Sequence, residues 1–209
     1  YTYSVVLGDV DGDGDLDLAA GNYSGTNKLY LNNGSGGFAS SGTAIGSDTD
    51  DTFSVVLGDV DGDGHLDLVA GNNGQTNKLY LNDGSGRFSA TGTVIGNESD
   101  TTRSVVLGDV DGDGDLDLVA GNNSGTNKLY LNNGTSVNGW FDAARNIGSD
   151  TDYTQSVVLG DVDGDGDLDL VAGNYGGTNK LYLNNGTSVN GRFPDINTAG
   201  TPIGSDTDD

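Results

Sequence analysis

The sequence predicts an all-β chain of four near-identical propeller-type blades, each a four-stranded antiparallel sheet, and three observations lead there. First, "SVVLGDVDGDG" begins at Ser4, Ser54, Ser104 and Ser156, giving periods of 50, 50 and 52 residues. Second, each unit holds four short strand-like stretches separated by turn residues, which is the length and strand count of one blade. Third, no window keeps apolar residues at i, i+3, i+4 and i+7, so helix is expected to be nearly absent. A β-helix repeats in much shorter steps, and a sandwich has no reason to keep so regular a period.

Within the first unit, Ser4 to Val10 is a nearly continuous apolar run with β-branched residues, the pattern of a strand buried on both faces. An acidic loop follows. Leu16 to Ala20 reads as the second strand, with Leu16, Leu18 and Ala20 on one face. Leu29 and Leu31 alternate with Lys28 and Tyr30 as a third, and a weaker fourth lies around Phe38 to Ile45. The units close with "IGSDTD" or "IGNESD", and the runs at Ser47, Ser149 and Ser205 are expected to cap local turns. The expected blades are 1–50, 51–100, 101–152 and 153–209.

Joining the closing "IGSDTDD" to the opening "YTYSVVLGD" nearly regenerates the internal junction "IGSDTDYTQSVVLGD". Two copies completing an eight-bladed ring, a longer tandem array, or four blades closing alone all fit that phase. Near-identical units bury surface only against neighbours, which favours the first two.

A net charge of −24 argues against nucleic acid or an anionic membrane as partner and favours cations. No apolar run reaches the roughly 18 residues of a membrane span, and without a signal peptide or initiator Met the chain reads as a mature or excised segment. The absence of cysteine removes disulfides and thiolate metal sites. N-x-S/T sequons at Asn22, Asn33, Asn97, Asn122, Asn133 and Asn185 are candidate glycosylation sites suited to a secretory route.

The acidic loop carries the chemistry. Asp9, Asp11, Asp13, Asp15 and Asp17 occupy positions 1, 3, 5, 7 and 9, with Gly12 and Gly14 between them. Carboxylates this close repel unless a cation sits among them. Calcium takes six to eight oxygens, and an EF-hand loop supplies them from side chains at 1, 3 and 5 and a backbone carbonyl at 7, with a Gly at 6. The expected ligands are therefore the carboxylates of Asp9, Asp11, Asp13 and Asp17 with the backbone of Asp15. The later units offer Asp59, Asp61, Asp63 and Asp67 with the backbone of His65; Asp109, Asp111, Asp113 and Asp117 with that of Asp115; and Asp161, Asp163, Asp165 and Asp169 with that of Asp167. The lone substitution, His65, falls at position 7, where only the backbone is needed. Magnesium fits so carboxylate-dense a cage less well, and zinc wants nitrogen or sulfur. One Ca²⁺ per repeat, four per chain, is the expectation.

These loops, at this repeat length, resemble the VCBS/FG-GAP repeat family, the integrin-type calcium-binding β-propeller blades in which D-x-D-G-D-G-x-x-D links the first and second strands. The resemblance covers essentially the whole chain. The "GAP" that follows the second strand in that family is "AGN" here, at Ala20 to Asn22 and its equivalents, which argues against integrin-like ligand recognition.

Other residues have plainer readings. Lys28, Lys78, Lys128 and Lys180 are expected to pair with neighbouring acids, and Trp140 to pack. The turns "NYSGT", "NNGQT", "NNSGT" and "NYGGT" vary, which reads as drift. His65 has no nucleophile or base beside it in the pattern, so no catalytic residues are assigned. The chain is read as a non-catalytic extracellular module of structural or adhesive role that assembles with itself. Glycans and other surface proteins are further possible partners. A calcium-dependent lectin is the alternative.

Overall fold

Side chains alternate across a pleated strand, and in this chain both faces of the second strand are apolar, so each blade needs a neighbour on either side. The computed structural model describes residues 1–136, 140–186, 193 and 199–205. Blade 1 holds β1 (Thr2–Gly8), β2 (Asp17–Asn22), β3 (Asn27–Tyr30) and β4 (Thr43–Ile45). Blade 2 holds β5 (Thr52–Gly58), β6 (Asp67–Asn72), β7 (Asn77–Tyr80) and β8 (Thr93–Ile95). Blade 3 holds β9 (Thr102–Gly108), β10 (Asp117–Asn122), β11 (Asn127–Tyr130) and β12 (Arg145–Ile147). Blade 4 holds β13 (Thr154–Gly160), β14 (Asp169–Asn174), β15 (Asn179–Tyr182) and β16 (Thr201–Ile203). The four strands of each blade form a meander sheet of their own, isolated bridges at Asn73–Thr101 and Asn123–Tyr153 cross between blades, and the described residues include no α-helix.

The strand ends differ from the sequence reading for local reasons. The first strand stops at Gly8 because Gly8 pairs with Asp17, and Val10 leaves the ladder to donate its N–H to the Asp17 carboxylate. Leu16 and Leu31 therefore fall outside strands. The fourth strand shrinks to Thr43–Ile45, with Phe38 held by a single bridge to Asn32. One residue near the start of each first strand, Tyr3 in blade 1, is bulged out between paired residues Thr2 and Ser4. A bulge of this kind re-aims a side chain away from the ladder.

The cores lie between blades. Val10, Ala19, Leu29 and Ile45 of blade 1 pack against Val55, Leu68, Ala70 and Tyr80 of blade 2, and two equivalent clusters join blades 2 to 3 and 3 to 4. The second strand is buried on both faces in the inner blades, where every residue of β6 and β10 is inaccessible. The first strand, expected to be so, is only partly buried in blades 2 and 3 and largely open in blade 1.

The runs at Ser47 and Ser149 are not local caps, and the run at Ser205 lies, beyond its serine, outside the described residues. Ser47 donates both its N–H and its hydroxyl to the Ala90 carbonyl of the next blade. Asp48 accepts from the Gly92 N–H at 2.7 Å and the Tyr80 hydroxyl at 3.2 Å, and pairs with Lys78 at 3.1 Å. Lys180 meets Asp150 in the same way. Where Glu98 replaces the aspartate, Lys128 turns to Asn146.

Because the cores are shared, the same deletion should cost different amounts along the chain. Leu68→Ala empties a fully buried site between blades 1 and 2 and is expected to cost about 2–5 kcal/mol in urea unfolding. Leu18→Ala, at the equivalent but only partly buried position of blade 1, is expected to cost less than half as much.

Candidate metal centre

Two glycines let the acidic loop curl. Gly12 and Gly14 have φ of 75° and 93°, and their equivalents share this left-handed backbone, which a side chain would strain. The turn aims amide hydrogens at position 1: Asp9 accepts from Gly12 and Gly14 at 2.8 and 2.9 Å. Position 5 accepts the N–H of position 7 in every repeat, as Asp63 does from His65 at 2.9 Å.

Position 9 is the buried anchor. Asp17, Asp67, Asp117 and Asp169 are at most 1% exposed. One oxygen of each accepts the N–H of the position-2 valine, at 3.2, 3.0, 2.8 and 2.8 Å for Val10, Val60, Val110 and Val162. The other accepts the N–H of Asn32, Asn82, Asn132 or Asn184, just beyond the third strand, at 2.8–2.9 Å. Each oxygen keeps a second lone pair for a cation.

The loops bring together Asp59, Asp61 and Asp67; Asp109, Asp111 and Asp117; and Asp161, Asp163 and Asp169, with ligand atoms within 4.8 Å of one another. In the first repeat the grouped residues are Asp9, Asp11 and Asp13. Asp63, Asp113 and Asp165 lie outside those groups. The side chain of position 7 (Asp15, His65, Asp115 or Asp167) lies over the glycine of the turn after the third strand, where a Cβ on Gly34, Gly84, Gly134 or Gly186 would collide with it. It too is outside the groups.

Electrostatically the cages are under-compensated. Loss of hydration, with neighbouring carboxylates adding, raises Asp11, Asp61, Asp111 and Asp163 above the ordinary carboxylate value. Burial pushes Asp67 up to about 6 and Asp117 to about 7 despite their backbone hydrogen bonds. Asp11, Asp59 and Asp111 each hold one buried oxygen with no hydrogen-bond partner. Orphaned acceptors between converging carboxylates suit a hard divalent cation. Each repeat can therefore hold a metal ion, and the ion would supply charge neutralisation and a fixed loop.

The sites are also joined to one another. Asn82, whose N–H binds Asp67, extends its side-chain amide to the Val10 carbonyl of the preceding loop at 2.8 Å. Asn132 does the same to Val60 and Asn184 to Val110, both at 2.8 Å. Valine, aspartate and asparagine thus alternate along a hydrogen-bonded path through all four loops.

Two further groups bear on binding. The bulged Tyr3 and Phe53 gather with Tyr23 of the varying turn, ring centroids 5.0–5.7 Å apart, and Arg103, the bulged residue of blade 3, lies 4.0 Å over Phe53. Of these rings only Tyr23 stands out in the sequence, in the varying turn "NYSGT", because a bulge leaves no mark in a strand pattern. Asn122 is fully buried, its amide donating to Thr126 and Asp100, so it offers no room for a glycan. Asn22 is committed likewise to Thr26. Asn33, Asn97, Asn133 and Asn185 are exposed.

A meander of blades sharing cores, with an acidic loop between the first two strands of each, defines a propeller-type repeat protein. The FG-GAP-like repeat pattern matches residues 9–70, 59–120 and 109–172, and the chain belongs to that family. No curated protein matches the chain by sequence. Among solved structures it is similar to an Agrocybe aegerita lectin described as specific for non-reducing terminal N-acetylglucosamine, at 23% identity and a TM-score of 0.59, over 91% of this chain and 49% of that one. It is also similar to a chain in the complex of BBS1N with ARL6DN, at 13% identity and a TM-score of 0.58, over 91% of this chain and 55% of that one. These likenesses concern the fold, and the chain spans about half the length of each. Among the described residues no helix is long and apolar enough to cross a membrane.

The raised carboxylates set the sign of the pH response. Between pH 4 and pH 7 the folded, chelated protein holds protons on Asp67 and Asp117 that the unfolded chain has released, so its stability falls as pH rises. Bound cation needs the deprotonated form, so the gap between calcium-loaded and EGTA-treated melting temperatures should widen from pH 5 to pH 7.5. A chelated protein that grows steadily more stable over that range would contradict this.

Proposed function

We propose that the protein is a non-catalytic calcium-binding β-propeller repeat module, extracellular or at a cell surface, with a structural or adhesive role and a tendency to assemble with copies of itself. Its blades are residues 1–50, 51–100, 101–152 and 153–209. Each binds one Ca²⁺, through the carboxylates at positions 1, 3, 5 and 9 and the backbone at position 7. The observation that carries this reading is the repetition of one acidic loop in every blade, anchored by a buried carboxylate at position 9 and, from blade 2 on, tied to the preceding loop by an asparagine amide. That arrangement makes the cation a staple of the fold. The exposed sequons Asn33, Asn97, Asn133 and Asn185 suit an exported protein.

Calcium binding to the folded state should raise stability by linkage, by about 2.7 kcal/mol for a site at one hundred times its dissociation constant. Calorimetric titration should find four sites per chain, and EGTA should lower the melting temperature. Asp109→Ala is expected to remove one site. An unchanged melting curve on chelation would sink the metal reading.

Carbohydrate binding is the alternative, favoured by the Tyr3, Tyr23, Phe53 and Arg103 cluster and by the fold shared with the N-acetylglucosamine-specific lectin. Aromatic faces and a guanidinium are suited to sugar contact. A glycan array decides: calcium-dependent signal lost in Tyr23→Ala supports the lectin, and silence across the array supports the structural module.

A further inference from the structure

The two open ends of the array are the two halves of its internal joint. At each internal joint two leucines of the following blade lean into the space above a glycine of the preceding one. A Cβ on Gly8 would stand 2.8 Å from both Leu57 and Leu66, and Gly58 and Gly108 are filled alike by the leucine pairs of blades 3 and 4. Gly160, their equivalent in blade 4, has nothing within 4 Å. The matching leucines of blade 1, Leu7 and Leu16, stand 53% and 54% exposed.

A second pair of features repeats the pattern. Gly21, Gly71 and Gly121 are covered by the valine and threonine of the next blade's first strand, whereas Gly173 meets only its own blade. The covering valine is 7% exposed at Val55, Val105 and Val157 and 59% exposed at Val5. At the opposite end Val162 is 55% exposed, whereas Val10, Val60 and Val110 are at most 4%.

The polar groups are as complementary as the apolar ones. Val55, Val105 and Val157 each donate an N–H to a serine hydroxyl of the preceding blade at 3.1–3.2 Å, which leaves Ser156 to face the N–H of Val5. The asparagine amides that cross each joint to a valine carbonyl leave Asn32 to meet Val162.

We propose that blade 1 of one copy docks on blade 4 of a second copy, in the register of the internal joints, so that Leu7 and Leu16 fill the space at Gly160. This deepens the self-assembly read above and names its surface. The interface is heterologous: each copy offers one end of each kind. Blade pairs inside the chain already show that this surface, with these residues, packs.

Light scattering and analytical ultracentrifugation in calcium test it with two variants. Gly160→Leu fills the socket without strain, since Gly160 has space and lies outside the left-handed region. Leu7→Asp with Leu16→Asp charges the plug, and Val5→Glu replaces that pair if the double variant folds poorly. Wild type is expected at a mass of at least twice the 21.2 kDa chain. Each variant alone should be a folded monomer, and an equimolar mixture should form a heterodimer through the one socket and one plug left intact. Wild type that stays monomeric at 100 µM, a single variant that still self-associates, or a mixture that stays monomeric overturns the proposal. A calcium titration on the same samples separates the two readings, because a four-site monomer defeats the joint alone and an oligomer without calcium binding defeats the metal alone.

Discussion

One buried carboxylate per repeat holds the structure in register. Asp17, Asp67, Asp117 and Asp169 each bind the backbone at the start of the acidic loop and at the end of the third strand. In blades 2 to 4 the asparagine that supplies the second of these bonds then reaches across to the previous loop. Loop shape, strand termination and blade spacing therefore meet at a single side chain. Remove its charge compensation and all three lose their common reference.

This explains why so acidic a chain concentrates its charge. A dry carboxylate is costly unless it is paired or hydrogen-bonded, and backbone amides compensate Asp67 and Asp117 only in part, since burial still raises both. The remaining acceptors face one another across the loop. A divalent cation would complete the set, and the same ion would fix the turn that Gly12 and Gly14 permit. Cohesion between blades rests on the other half of the design, apolar faces divided between neighbours and clasped at the rim by Asp48 and Asp150. Neither half stands alone, since the asparagine amides run from one to the other.

Much of this was legible in the sequence, because a fifty-residue period with glycines and aspartates at fixed places leaves few folds. The all-β architecture, the blade order and the acidic loops follow from it directly. What the pattern hid was relational. Asp48 reads as a turn cap until Lys78, Tyr80 and Gly92 arrive from the next blade, thirty or more residues away. Tyr3 and Phe53 read as ordinary strand residues because a bulge leaves no mark in the alternation. Asn122 reads as a sequon, whereas its amide is needed inside the second hairpin. Positions 1, 3, 5 and 9 read as one uniform cage; the grouped carboxylates are those of positions 1, 3 and 9 in blades 2 to 4 and of positions 1, 3 and 5 in blade 1. Periodicity specifies what each blade contains, and only packing shows which groups one blade lends to another.

The central claim is that the cation loops and the blade joints form one hydrogen-bonded unit. Hydrogen exchange by NMR at the Val60, Asn82, Val110 and Asn132 amides, with calcium and after chelation, tests it most directly. The account predicts that these four amides are protected together and that chelation speeds all of them by a similar factor. Exchange at the two asparagines that ignores calcium while the valines respond would separate loop from joint and contradict it.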